Sequence, residues 1–323
     1  MSAGREHFVI IGARGFIGSW ICRLLVEEGI KVTATDTNPD PRSLSSVLGP
    51  DHLNKMKYLV SDARSPEAVS ELISGDVTHV IYLAGLLRPA SENNPLLSCQ
   101  VSIGGLINVL DASVRRNGEI GLAYSSTAAV YGPASSYPDG QVDDKSILMP
   151  NDHYGLHRYV MEMTADVYFR QHGVTSMGLR PWIVYGAGRF NGLSAQPSLA
   201  MLAAAAGAPF HMHFGGTSVF HHVRDVALAF IRGARATFDG AVKANIPGES
   251  VAMNDLIEMI VRFVPEAHGR ITCESKNLGA PMRLRDPTLE RIIGSLPSPT
   301  EERVRETITE YRRLLADGRI SFP

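Results

Sequence analysis

Phe8-Val9-Ile10-Ile11-Gly12-Ala13-Arg14-Gly15-Phe16-Ile17-Gly18 is the stretch on which the fold turns. Its opening apolar run reads as a buried β-strand, and Phe16 to Glu28, with Ile17, Ile21, Leu24 and Leu25 at helical spacing, reads as the helix that follows. Between them Gly12, Gly15 and Gly18 permit a tight turn, close approach of the backbone to a pyrophosphate, and packing of the helix on its strand with its N-terminus aimed at the anion. A glycine motif alone is weak evidence. Here a second strand, Lys31 to Thr35, ends at Asp36, about 20 residues on, where an acid binds the ribose of a dinucleotide. Such an acid holds both ribose hydroxyls and repels a 2′-phosphate, so NAD is expected over NADP. Arg14 and Arg42 argue the other way, because each is able to meet a 2′-phosphate; a turn residue before Asn38-Pro39 is the plain alternative for Asp36.

Further strands are readable at Lys57 to Val60, Thr78 to Leu83 and Gly121 to Ser125, separated by helical stretches at Pro66 to Ile73 and Pro95 to Arg116. This alternation implies an α/β fold, a Rossmann-type doubly wound parallel sheet. The expected division is a dinucleotide-binding domain over 1–180, including the helix at Tyr154, and a smaller substrate-binding lobe over 181–323 with segments that return to the first domain. Beyond the sheet, Gly192 to Phe210 reads as a glycine-flanked helix, either packed or a movable cover. Asp225 to Arg235 and Asn254 to Val264 also read as helices, and Pro299-Thr300-Glu301-Glu302 as the start of a last one.

Hydrophobic residues make up 44% of the chain, enough for a sizeable core. The 31 basic and 33 acidic residues are interspersed, and a net charge of −2 argues against nucleic acid or an acidic membrane as partner. Cys22, Cys99 and Cys273 have no metal-ligand spacing and cannot all pair, which fits a reducing cytoplasm; each is expected to be buried. The short polar stretch after Met1 leads into an apolar run too short for a signal peptide, and no run reads as long enough to span a bilayer.

Tyr154-Gly155-Leu156-His157-Arg158 carries the chemistry. A tyrosine phenol titrates near ~10 in model peptides, so its use as a base near neutrality needs a neighbouring positive charge that stabilises phenolate. Positions i and i+4 share a helix face, and Arg158 supplies that charge, as a planar fork rather than a compact ammonium. A core aromatic followed by a surface arginine is the alternative.

The glycine loop, Ser125-Ser126-Thr127-Ala128-Ala129-Val130-Tyr131-Gly132, the Tyr154 helix start and Leu179-Arg180-Pro181-Trp182-Ile183-Val184-Tyr185-Gly186 occur in an order that resembles the extended short-chain dehydrogenases, the NAD-dependent epimerase/dehydratase family, over most of residues 7–265. The sequence departs from the family's Tyr-x-x-x-Lys at Arg158. The resemblance implies that Phe16 and Ile17 join the glycines at the cofactor, that Asp62 and Ala63 contact adenine, and that Leu83, Ala84 and Gly85 line the ribose. It also implies that Ser125, Pro181, Ile183 and Val184 pack around the cofactor, that Thr127 hydrogen-bonds the reacting oxygen, and that Tyr154 is the acid/base with Arg158 as its charged partner.

Members that act on nucleotide sugars commonly have an asparagine where this chain has Ile183, and an arginine shortly before Val219-Phe220-His221-His222-Val223, where Gly215-Gly216-Thr217-Ser218 offers none. A diphosphate would lose two charge-assisted contacts, so a nucleotide sugar is disfavoured. Arg88, Ser126, His153, Trp182 and Arg189 are the candidate substrate residues, and Arg283 and Arg285 are further candidates for an anion. His211-Met212-His213 puts both imidazoles on one strand face, yet the sequence places no third ligand, so no metal is expected. Of His221 and His222, at most one can enter the site.

The expected function is transfer of a hydride between NAD and a secondary hydroxyl or ketone of a small polyhydroxylated substrate, a sugar or sugar acid. A sugar or nucleotide-sugar epimerase is the runner-up, and an NAD-binding sensor with little turnover is the reading from another class. The Tyr154 to Arg170 helix is apolar nearly all round, with Leu156, Val160, Met161, Met163, Val167, Tyr168 and Phe169, and must bury two faces. With Pro95 to Arg116 it is expected to form a four-helix homodimer contact, as the resemblance also implies, unless it is buried within one chain.

Overall fold

The computed structural model describes residues 6–40, 42–143, 145–277, 283–296 and 300–322. Seven strands form the central sheet: β1 His7–Ile11, β2 Lys31–Asp36, β3 Lys57–Val60, β4 His79–Tyr82, β5 Gly121–Ser125, β6 Ser176–Arg180 and β7 Ala241–Asn245. All pairs are parallel, in the order β7-β6-β5-β4-β1-β2-β3. The chain leaves β1 to one side for β2 and β3 and then crosses to the other for β4, so the strand order reverses at β1. Ligands of such sheets bind in the crevice outside the carboxyl ends at that reversal.

Every residue of β1 is buried, because both faces of the sheet are covered. Phe8 and Ile10 face a core built with the helices Phe16–Glu27 and Val223–Arg235, while Val9 and Ile11 face a second core with Pro66–Leu72, the Pro95–Arg115 helix and His153–His172. The period of two along one strand divides the core between two layers of helices.

The Pro95–Arg115 helix is continuous, with a π-helical segment at Gln100–Gly104 where Tyr82 donates its hydroxyl to the Val101 carbonyl. By length and composition it is apolar enough to cross a membrane, which corrects the sequence reading; its Ser, Gln, Gly and Asn residues disguise the run. In the fold it is a core helix, packed on β4 and beside the Tyr154 helix.

His153–His172 starts where Asp152 accepts a hydrogen bond from the Gly155 amide at 2.7 Å and stops at the left-handed Gly173. Within one chain it buries one face, so the alternative of burying both faces inside a single chain is not what the fold does. That face carries His157, Arg158 and Glu162 beside Gly155, Met161 and Ala165. Leu156, Met163 and Val167 stay 42%, 37% and 36% exposed on the other side.

On the substrate side, Ile183–Tyr185, Thr217–His222 and Glu249–Ala252 form a mixed sheet, Phe210–Met212 pairs with Ile271–Cys273, and Gln141–Asp143 pairs with Arg283–Arg285. Residues 192–210 do not form one helix: a 3₁₀ turn, Leu193–Ala195, leads into Gln196–Ala205, and Phe210 already belongs to a strand. Ala200 to Ala204 are buried, so this is a packed element rather than a free cover. β7 and the helix Val223–Arg235 return to the central sheet. The last helix, Thr300–Ala316, returns as well, through Tyr311, whose hydroxyl donates to the Gly186 carbonyl at 3.1 Å, and Glu310, paired with Arg23 at 2.7 Å. Pro299 and the side chains of Arg42, Arg283 and Arg285 lie outside what is described.

Candidate active site

The glycine loop has the shape its spacing implies. Gly12 has φ +87°, and a Cβ there would lie 2.8 Å from the Ala84 amide nitrogen; a Cβ on Gly18 would lie 2.6 Å from the Gly12 carbonyl oxygen. Both approaches are to backbone, which cannot step aside. Gly15 begins the helix Phe16–Glu27 with no side-chain cap and no acid in the first turn. Exposed amides at the positive end of a helix dipole fit a pyrophosphate. Phe16 and Ile17 are half-buried beside it.

At the end of β2, Asp36 accepts the Arg14 amide at 3.3 Å and the Asn38 amide at 3.4 Å, which ties it to the loop. Next to it Ser61 donates its amide to the Asp36 carbonyl, and Asp62 and Ala63 follow. Asp62 is gripped by the Arg64 side chain at 2.9 Å, and this hydrogen bond holds its carboxyl below the usual range. Leu83, which donates its amide to Ile11, and Ala84 close the crevice from β4.

Tyr154 stands half-buried at the start of its helix, its amide donated to Glu92 at 3.1 Å. Arg158, one turn on, is only 2% exposed, with its guanidinium carbon 5.6 Å from the Tyr154 ring centre. Its Nη1 donates to the Ser125 carbonyl at 2.8 Å, and its Nε has no hydrogen-bond partner among the described residues. A Cβ on Gly85 would lie 2.1 Å from Arg158 Nη2. The wide fork fits because residue 85 has no side chain, a compensation that spacing alone does not reveal. The Arg88 guanidinium lies 5.8 Å from the same ring while pairing with Asp152 at 2.8 Å.

Thr127 is buried in extended backbone, and its Oγ1 accepts the Ala129 amide at 3.2 Å. The hydroxyl hydrogen is left to donate. Ala128 donates its amide to the Pro181 carbonyl at 3.0 Å, which pins this turn to the Pro181–Val184 segment, where Ile183 and Val184 are buried.

Residues 8–246 match the model of the NAD dependent epimerase/dehydratase family. The chain belongs to that family. It is 28% identical over 181 residues to a putative UDP-glucose 4-epimerase of Methanocaldococcus jannaschii, covering 55% of this chain and 56% of that protein. To the CDP-paratose 2-epimerase of Salmonella typhi it is 24% identical over 198 residues, or 56% and 58% of the two chains. The chain thus spans somewhat more than half the length of these curated relatives. Among solved structures, UDP-N-acetylglucosamine 4-epimerase from Methanobrevibacter ruminantium, in complex with UDP-N-acetylmuramic acid, has a TM-score of 0.80 at 23% identity, covering 95% of this chain and 98% of that one. A monomeric L-threonine 3-dehydrogenase from a metagenome has a TM-score of 0.80 at 22% identity, covering 95% and 99%. At this identity the likeness is one of fold.

On the substrate side several expectations for this family member need correction. Ser126 is fully buried and donates to Glu162, which holds Arg180 through bonds of 2.7 and 2.6 Å; Arg180 also reaches the Tyr131 hydroxyl. Ser126 therefore belongs to a buried ionic network behind the cleft. Glu162 reads as a surface acid, and its one signal is position: it lies one turn beyond Arg158 on the same face. Trp182 gives its indole N–H to the Ser218 hydroxyl oxygen at 3.0 Å, which fixes the indole on that strand. His153 is tied to Glu92 at 2.9 Å, which makes it an anchor of the helix start.

Neither His221 nor His222 is a cleft residue. Both are buried, and burial lowers their pKa values to about 4 and about 3. His221 Nδ1 accepts the Trp182 amide at 3.0 Å, and His222 packs edge-on to Tyr185. The pair His211 and His213 does acquire a third group, Glu274, with ligand atoms all within 4.8 Å, because the parallel strand Ile271–Cys273 delivers it. All three are exposed, and His211 Nδ1 also meets the Thr272 hydroxyl at 2.8 Å. The three cysteines are free; only Cys22 is fully buried, and burial pushes its thiol up to about 12.

Proposed function

We propose that this chain is an NAD-dependent oxidoreductase acting between a secondary hydroxyl and the matching ketone of a small polyhydroxylated substrate. The observation that carries the reading is Tyr154 at a helix start, with the buried Arg158 guanidinium beneath its ring and the Thr127 hydroxyl free to donate nearby in the fold. NAD supplies the hydride acceptor or donor, held by the glycine loop, Asp36 and the Leu83–Gly85 turn. Thr127 positions the substrate oxygen by a hydrogen bond. Tyr154, as the phenolate that the Arg158 charge stabilises, takes the hydroxyl proton on its phenolic oxygen and becomes the neutral phenol. In the reverse direction the same phenol returns the proton. Ile183 has no amide and Ser218 no charge to offer a diphosphate where the resemblance implies an asparagine and a nearby arginine, which favours a free sugar or sugar acid over a nucleotide sugar.

Epimerisation at the same residues is the second reading, favoured by the names of the matched relatives. A panel of free sugars, sugar acids, polyols and nucleotide sugars separates the readings. Net reduced nicotinamide by absorbance supports a dehydrogenase, isomer formation without it supports an epimerase, and NAD binding without turnover of any member supports a sensor. Tyr154→Phe abolishes turnover and leaves NAD affinity nearly intact; normal turnover in that variant refutes the assignment.

The exposed Leu156, Met163 and Val167, continued by Leu96 at 69% exposure on the neighbouring helix, form an apolar face. In the proposed assembly a second copy covers it, each protomer contributing two helices.

A further inference from the structure

Arg189 lies between the strand Ile183–Tyr185 and the helix Gln196–Ala205. Its guanidinium carbon is 5.6 Å from the ring centre of Phe16, the residue after Gly15 in the cofactor loop. Nη2 donates to the Ser194 hydroxyl at 2.9 Å, and Nε is buried without a hydrogen-bond partner. Among the described residues no carboxylate forms a salt bridge with Arg189. Arg180 and Arg303, by contrast, each hold a carboxylate, Glu162 and Asp225, at 2.6 Å, while Arg158 beneath the Tyr154 ring shares with the half-buried Arg189 an Nε without a partner among the described residues. Burial pulls the Arg189 pKa below its ordinary value, and the Tyr154 phenol is the group that opposes this.

A cation partly withdrawn from water gains from a countercharge, and none of the described residues supplies one within salt-bridge reach. The guanidinium lies beside Phe16 of the cofactor loop and feels the charge of the Tyr154 phenol, on the side of the loop where a substrate has to lie if Tyr154 is to take its proton. A planar fork matches a carboxylate with two parallel N–H to oxygen bonds. We propose that Arg189, with Ser194 bracing it, is a carboxylate subsite, so that the substrate is a hydroxy acid of the sugar-acid class rather than a neutral sugar or polyol. This rests on the oxidoreductase reading of the same site and narrows it. The cofactor diphosphate is the other anion within the same chemistry, and the experiment separates the two.

With NAD present, thermal unfolding is followed against a panel of aldonic and uronic acids and the neutral aldose or polyol matched to each, for the unmodified protein, Arg189→Gln and Arg189→Lys. The affinity of each protein for NAD is measured alone. The expected result is that at least one acid raises the unfolding temperature of the unmodified protein while its neutral match does not. Arg189→Gln weakens that acid by about 10- to 100-fold and leaves NAD affinity within about twofold, and Arg189→Lys recovers part of the loss. Stabilisation by neutral members as strong as by acids, no stabilisation by any acid, or an unchanged acid affinity in Arg189→Gln overturns the proposal. Loss of NAD affinity in Arg189→Gln, with acid affinity intact, overturns it too and assigns the guanidinium to the cofactor diphosphate. Because the readout is binding, acid recognition without turnover upholds the subsite while the oxidoreductase reading fails, and turnover of neutral sugars alone does the reverse.

Discussion

Replacing Gly85 with alanine tests the catalytic reading through a residue that performs no chemistry. The added Cβ would sit 2.1 Å from Arg158 Nη2 and 2.9 Å from Cζ, so the guanidinium has to leave. It is the far end of a flexible side chain, and the fold survives; the lost charge-assisted bond to the Ser125 carbonyl costs about 1.5–3 kcal/mol of stability. The functional loss follows from Coulomb's law. A unit charge 5.6 Å from the Tyr154 ring centre, at an effective dielectric of about 20, stabilises phenolate by about 3 kcal/mol. The ring is half-exposed and part of this is screened, so the expected fall in the hydride step is roughly 10- to 150-fold. The assay is single-turnover reduction of NAD for the unmodified protein, Gly85→Ala, Arg158→Lys and the double variant. Lysine has no second arm to meet the new methyl group, so Arg158→Lys retains activity, and adding it to Gly85→Ala restores much of what that change removes. Full activity in Gly85→Ala refutes the reasoning. Equal loss in the single and double variants refutes it as well, since the methyl group would then be obstructing the cofactor itself.

Asp36→Ala narrows the preference for NAD over NADP, measured by titration of both cofactors; an unmodified protein that binds NADP more tightly overturns the role given to Asp36. The Glu92 carboxyl is pushed up by burial, yet hydrogen bonds from the His153 side chain and from the amides of His153 and Tyr154 bring it net down to about 2. A depressed carboxylate contributes stability above its ordinary value of 4.5 and loses that contribution as pH falls towards about 2. The difference in unfolding temperature between the unmodified protein and Glu92→Gln is therefore expected to be full at pH 6 and to fade across that acid window. A difference independent of pH excludes the linkage. Met163→Glu puts a charge on the exposed apolar helix face and is expected to convert a dimer into monomers in sedimentation, with the secondary structure unchanged; a monomeric unmodified protein removes the four-helix contact from the account.

Much of the fold follows from local rules, and these were legible. The spacing of Gly12, Gly15 and Gly18 requires the turn, the alternation of apolar runs requires a buried parallel sheet, and each strand expected through Ser125 lies within about one residue of its place. Tyr154 and Arg158 share a helix face because four residues make about one turn, so their pairing needs no tertiary information. Other relations join groups far apart in the chain, and only packing decides them. Ser126 looks like a cleft hydroxyl until the sheet turns it towards Glu162, and Glu162 looks like a surface acid until Arg180 arrives on the adjacent strand. Gly85 accommodates the Arg158 fork, and Glu274 reaches His211 and His213, through contacts with no sequence period. Arg189 is the clearest case: its sequence neighbourhood makes it a candidate, but its want of a carboxylate partner among the described residues is a property of what packs around it. A residue type and its spacing specify what a side chain is able to do, and the desolvation imposed by the fold specifies which of those abilities a ligand has to complete.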